Sequence, residues 1–266
     1  MDTFCLNQHS LYLGSIINHK SIKMNKLFFT FLLLMSFVIT NAQVVVLHPV
    51  KIPSNQTEKF LDVEINFSSK TAQKAVDNGD LMWWGLLKAF NTTSEDYNYM
   101  WVNVYKDIDS AVSPKASWWN NAESSVGVKP SILYDGVSGT EADRRYIYQM
   151  RQQINSGEDG KFVVFNFATP DNVEGVLASN EKYVIPQFKK RMKFSGMKGW
   201  GAGTKITPQG SNYASFMTFD AFDTMANLMK HLSGDGEAAK GFDWSKLEPM
   251  TFESRYIFEI ISSTQN

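Results

Sequence analysis

The sequence predicts an α+β protein built from two similar β-α-β-β-α-β units in tandem, and three observations carry the prediction. Arg145-Tyr146-Ile147 near the middle of the chain reappears as Arg255-Tyr256-Ile257 near its end. Trp84-Gly85 matches Trp200-Gly201, and Tyr97 matches Tyr213, both 116 positions apart. The hydrophobic patterning between these landmarks also repeats in order. An internal repeat of this length sets the architecture before any single residue is weighed.

Taken in order, residues 1–23 precede a second start and read as a mis-assigned upstream extension. Met24-Asn25-Lys26, the apolar run Leu27 to Ile39 and Thr40-Asn41-Ala42 then have the three-part layout of a secretory signal peptide. The chain is therefore expected to be exported, periplasmic or extracellular after cleavage near Ala42. The apolar run is too short for a membrane-spanning helix, which takes about 20 residues, so no span is expected in the mature chain. The only cysteine, Cys5, lies in the discarded part, leaving neither disulfide nor thiol nucleophile.

The first unit, 43–154, opens with Val44-Val45-Val46-Leu47-His48-Pro49-Val50, a β-branched strand closed by Pro53-Ser54-Asn55. Gln56 to Val76 reads as a helix. Trp83 to Lys88 and Tyr97 to Tyr105 read as strands, the latter alternating large apolar with smaller residues. A second helix begins at Asp107, and Tyr146 belongs to the last strand. Trp118 to Ala142, rich in glycine and proline, reads as a loop with little helix. It accounts for the unit's six extra residues, since Tyr97 to Arg145 spans 48 positions and Tyr213 to Arg255 only 42.

A polar linker, 155–160, leads to the second unit, 161–266. Lys161 to Phe167 is its first strand, and Val173 to Met192 its first helix, which Pro186 should kink or split. Gly199 to Thr204 and Tyr213 to Phe219 follow as strands. Ala221 to Leu232 is read as helical from the spacing of Phe222, Met225, Ala226 and Met229. The glycine-dense run from Gly196 to Gly203 precedes a strand, and so marks a closely approached strand, not a phosphate cradle.

Each unit is then ferredoxin-like, with two helices on one face of a four-stranded antiparallel sheet. The uncovered face must be buried elsewhere, and two units satisfy each other by packing sheet on sheet. In this order of elements and these strand-start aromatics the chain resembles the dimeric α+β barrel superfamily, with both halves of the barrel in one chain. It looks most like its NIPSNAP-type and stress-responsive members. The resemblance implies an intrachain barrel, and it brings in cofactor-free or haem-using oxygenases and small isomerases as relatives in fold.

Several residues could carry chemistry. His48 and His231 are the only histidines after residue 42, and no H-E-x-x-H spacing gathers them for a metal. His48 reads first as a core or barrel-lining histidine, with an acid/base role or ligation of haem or metal as the alternative. His231 reads as a helix-end residue favoured by the dipole. On the last strands Arg145 shares a face with Gln149, and Arg255 with Glu259, opposite Tyr146 and Tyr148. Arg255 and Glu259 could form a buried pair or orient a polar ligand; an ordinary cross-face ion pair is the plainer reading. Candidate catalytic residues are thus His48, Arg145, Tyr148, Arg255 and Glu259. Tryptophans stand out more. Trp84 and Trp200, at matched positions, read as core; Trp118-Trp119 reads as a lid or interface element; with Trp83 they are the candidate ligand-binding residues.

Removal of residues 1–42 leaves 23 basic against 26 acidic residues and no basic run longer than Lys189-Lys190-Arg191. That excludes the electrostatic footprint of a nucleic-acid binder. Neither a P-loop, nor a G-x-S-x-G elbow, nor a Rossmann fingerprint is present, so the sequence names no cofactor. The expected function is binding of a small apolar or aromatic molecule in a barrel or inter-repeat cavity, with self-association possible. The alternative is a small oxygenase or isomerase-type enzyme. The orientation of His48 separates the two: a cavity shared with an arginine or glutamate favours the enzyme.

Overall fold

The computed structural model describes residues 43–265. The expected upstream extension and signal peptide lie outside them. Nine strands are present among the described residues: β1 Val44–Lys51, β2 Trp83–Ala89, β3 Tyr99–Tyr105, β4 Glu141–Ala142, β5 Tyr146–Asn155, β6 Phe162–Ala168, β7 Met197–Thr207, β8 Phe216–Phe222 and β9 Phe252–Ser263. Eight of them close into an antiparallel barrel in the order β1-β3-β2-β9-β6-β8-β7-β5 and back to β1. The short β4 pairs with the end of β1 beside this ring. Up to residue 155 the strand order is β5-β1-β3-β2, and after it β9-β6-β8-β7.

Alternation along each strand sorts side chains into an inner core and two outer ones. Val45 and Leu47, Leu87, Met100 and Val102, Tyr148 and Met150, Val163 and Phe165, Met217 and Phe258 point inward and fill the lumen. The barrel therefore has a packed interior, and a cavity opens not within it, as expected, but under the first-half helices. Close packing is why β7 needs small residues: a Cβ on Gly201 would meet Phe219 and Met150. Outward residues pack under helices. Val44, Val46 and Trp84 meet Phe60 and Ala72 on one side; Val164, Trp200 and Phe222 meet Val176, Phe188 and Leu228 on the other.

The first helix, α1, is α-helical over Thr57–Val63, widens into a π turn at Glu64–Ser68 and continues over Ser69–Asp77. After it come α2 Ile108–Val112, α3 Ala122–Val126 and α4 Pro130–Gly136. In the second half α5 runs through Val173–Ser179, a π turn at Asn180–Val184 and Ile185–Ser195, and α6 is Met225–Ser233.

Two expectations need correction. Trp118 to Ala142 is not a loop with little helix: a 3-10 turn at Trp118–Asn121 leads into α3 and α4. Its glycine and proline punctuate short helices; Gly127 ends α3 at φ 75° and Pro130 begins α4 where an N–H is not needed. Pro186, expected to kink or split this helix, falls in the first turn of the segment that follows the π turn dividing α5. Ala221 and Phe222 belong to β8, and α6 starts only after Thr224, whose side chain accepts from the Asn227 N–H.

The barrel is sewn shut by the last strand of each half. β5 pairs with β1 and also with β7, while β9 pairs with β6 and also with β2. Beyond β9, the Trp84 N–H donates to Thr264 Oγ1 at 3.0 Å and the Thr264 N–H donates back to the Trp84 carbonyl at 3.0 Å. No helix among the described residues is long and apolar enough to cross a membrane.

Candidate functional site

A cavity of about 350 Å³ lies outside the barrel, between the outer face of the first-half strands and the helices over them. That size is at the lower end of the ~300–1,000 Å³ typical of small-molecule sites. The sheet supplies its floor. Register sets His48 opposite Trp101, Val46 opposite Asn103 and, on the other flank, Trp84 opposite Asn103. Arg145, just ahead of β5, and Ile147 extend the floor.

The roof is built by α1 and the 118–137 segment. In α1 the π turn changes the phase of the helix, and both Glu64 and Ser68 are buried, each 4 % exposed, lining the cavity with the helix's apolar stripe. Trp118 and Trp119 meet edge to face at 79° with centroids 5.8 Å apart, and Trp118 stands edge-on to Trp84 at 6.2 Å. Their indole N–H groups are fixed: Trp118 Nε1 donates to Asn103 Oδ1 at 2.9 Å, and Trp119 Nε1 to the Tyr134 hydroxyl at 2.7 Å. Tyr134 donates in turn to Asn120 Oδ1 at 3.1 Å.

Glu64 is the group with unusual chemistry. Burial pushes its carboxyl up to about 7, opposed by hydrogen bonds that Trp101 Nε1 and Ser68 Oγ donate to it at 2.9 and 3.2 Å. Those two bonds use only part of its accepting capacity. His48, whose ring is 5.3 Å from that of Trp101, is pushed below its ordinary value by burial and then by the Arg145 charge. The imidazole is therefore neutral at pH 7. Arg145 lays its guanidinium over the Trp119 ring at 5.3 Å, an attraction to the ring's negative face. One base near neutrality, one neutral imidazole and one fixed cation thus share an aromatic chamber.

The residues singled out from sequence divide sharply. His48 and Arg145 line the cavity, as do Trp84, Trp118 and Trp119. His48 faces helices on the outer surface of the sheet and does not line the lumen. Tyr148 points into the lumen instead. Trp83 also packs with the lumen cluster, and Trp200 is in the second-half core. Arg255 and Glu259 do not pair: Arg255 lies over the Phe252 ring at 4.8 Å, and Glu259 meets Lys161 at 3.5 Å. Both side chains face outward on β9, too open to hold a buried pair. His231, in the last turn of α6, is 3.5 Å from the buried Asp220. Glu64, Asn103, Tyr105 and Tyr134 were not singled out by sequence. Glu64 had one detectable signal, a carboxylate four residues from Phe60 and from Ser68 on the stripe of α1 that otherwise faces the core.

Among the described residues no group of three or more His, Cys, Asp or Glu side chains gathers to hold a metal ion. Nor do the residues fit haem. The chamber is small for a porphyrin, and His48 sits against Trp101 and beside Arg145 with the Asp143 backbone at its ring.

No protein-family model matches the chain, and no curated relative matches it by sequence. Solved structures are similar in fold. A haem-binding protein from Thermus thermophilus aligns at 7 % identity over 83 % of this chain and 92 % of its own, TM-score 0.49. A mutant chlorite dismutase from Candidatus Nitrospira defluvii aligns at 5 % over 85 % and 94 %, TM-score 0.49. A candidate monooxygenase from Lactobacillus acidophilus NCFM aligns at 10 % over 84 % and 96 %, TM-score 0.47. Likeness this remote transfers no chemistry.

Proposed function

We propose that the chain is an acid–base enzyme, of isomerase or cofactor-free oxygenase type, acting on a small aromatic or apolar molecule in the first-half chamber. The observation that carries the reading is Glu64: a buried carboxyl raised to about 7, within the cavity wall. A general base works best when its pKa lies near the working pH. In the step proposed, a C–H bond of the substrate breaks, its electron pair spreads into the substrate's conjugated system, and the proton moves to a Glu64 carboxylate oxygen. Arg145 stabilises the anion that forms, and the aromatic walls hold the ring and exclude water. Return of the proton to a different carbon completes an isomerisation.

Two further parts of the proposal rest mainly on sequence. The halves are tandem ferredoxin-like repeats, supported by matched strand orders and by π turns that open at Glu64 and at Asn180. The mature protein is exported after cleavage near Ala42, supported by the signal-like layout of residues 24–42.

Hydrogen–deuterium exchange of β-tetralone in heavy water, followed by proton NMR, tests the chemistry with a bicyclic carbon acid of suitable size. The expected result is exchange accelerated by the wild type, rising with pH through about 7, and lost in Glu64→Gln. Equal rates in the two proteins would remove Glu64 from the mechanism. Saturable quenching of tryptophan fluorescence without exchange would reduce the site to a ligand-binding chamber.

A further inference from the structure

A different set of polar groups lies in the lumen, on the opposite side of the sheet. Lys205 of β7 is the cross-strand partner of Tyr148 on β5. Its ammonium is 5.2 Å from the ring centroid of Tyr146 and 5.3 Å from those of Tyr148 and Tyr213, and the residue is only 8 % exposed. Three ring faces attract a cation through their quadrupoles. They do not replace the lone-pair acceptors that three N–H bonds lose on leaving water.

Lys205 forms no ion pair among the described residues, and Glu253 acts on it only through its field. Asp143, the other acid at this end, is engaged by the Tyr146 hydroxyl at 2.6 Å and by the Arg144 backbone N–H at 2.7 Å. Beside the lysine, Tyr148 is 0 % exposed and its hydroxyl has no hydrogen-bond partner. Burial lowers the lysine's proton affinity and raises that of the phenol, so Tyr148 remains a donor. One fully buried donor without an acceptor thus stands beside a cation that no acid pairs with. A buried polar group without a partner is rare enough in native proteins to call for a ligand, an ion or an ordered water.

We propose that this end of the barrel binds a small carboxylate, its oxygens accepting from Lys205 Nζ and Tyr148 Oη, with the Tyr146 and Tyr213 rings as walls. The charge it brings offsets the ammonium, and because inward side chains fill the lumen beyond, only a carboxylate as small as formate or acetate is expected to fit. This site is separate from the chamber that contains Glu64 and does not depend on what that chamber does.

Calorimetric titration of the mature protein with sodium formate and with sodium acetate, against sodium chloride at matched ionic strength, is the test. Saturable one-site binding is expected for a carboxylate and not for chloride. Lys205→Met should abolish it, Tyr148→Phe should weaken it about tenfold, and Glu64→Gln should leave it unchanged. Tyr148→Phe removes one oxygen and keeps the ring, so it serves where Lys205→Met fails to fold. Absence of saturable binding to the wild type would overturn the proposal and leave a water as the acceptor. Binding of equal strength in Tyr148→Phe and Lys205→Met would overturn it as well.

Discussion

Glu64 ties stability to pH in a direction opposite to that of most carboxylates. Its folded value of about 7 exceeds the ordinary 4.5, so between those values the native state binds more protons than the unfolded chain. Stability therefore falls as pH rises through that window, by roughly 3 kcal/mol in all, and stays reduced above it. Glu64→Gln keeps an acceptor for Trp101 and removes the ionisation. Urea unfolding should show it more stable than wild type by about 1–3 kcal/mol near pH 8 and close to wild type near pH 5; parallel pH curves for the two proteins would refute the assignment. His48 has the reverse sign. Its folded value is depressed, so its contribution is lost as pH falls below 6.5, and His48→Gln should flatten unfolding curves on the acid side only. Little of this was readable in the sequence. A carboxylate between Phe60 and Ser68 on an apolar stripe is a hint, but its pairing with Trp101, 37 positions away, depends on how α1 crosses the sheet.

At the level of elements, the strands were legible and the helix irregularities were not. Period-2 alternation and matched Trp-Gly pairs marked β2 and β7 because strand faces show directly in the order of side chains. A π turn adds one residue to a helix without any composition of its own, so neither the one at Glu64–Ser68 nor the one at Asn180–Val184 could be read. The roof segment misled for a related reason: its glycine and proline are helix ends, not loop interior. Trp118→Ala should empty much of that roof, costing about 3–5 kcal/mol for a buried tryptophan, and leave the Asn103 side chain without its donor. Thermal unfolding and fluorescence quenching by β-tetralone measure the two effects together; unchanged quenching would show that the tryptophan pair is no part of the binding wall. Gly201→Val in β7 should destabilise by overpacking against Phe219 and Met150, by about 1–3 kcal/mol, without altering that quenching.

The whole molecule depends on closure. Each half covers one face of its strands with helices, and the two other faces are joined in a single packed lumen by strands that pair between the halves. Closure was expected from the apparent repeat, whereas the position of the cavity was not: it was placed in the barrel or between the repeats, yet large inward side chains fill the lumen and the space opens under the helices. The seam at Trp84 and Thr264 is the place to test closure. Thr264→Val leaves the buried Trp84 N–H without its acceptor, a loss of about 1–3 kcal/mol, and should reduce amide protection along both β2 and β9 in hydrogen exchange; loss confined to residues 263–265 would mean that the halves hold together without this seam. The central claim, that the chamber outside the barrel is built around a carboxyl poised near neutrality, is tested most directly by carbon-13 NMR of the Glu64 side-chain carboxyl as a function of pH, assigned by Glu64→Gln. The account predicts a midpoint near 7 that moves when β-tetralone is added; a midpoint near 4.5, indifferent to ligand, would contradict it.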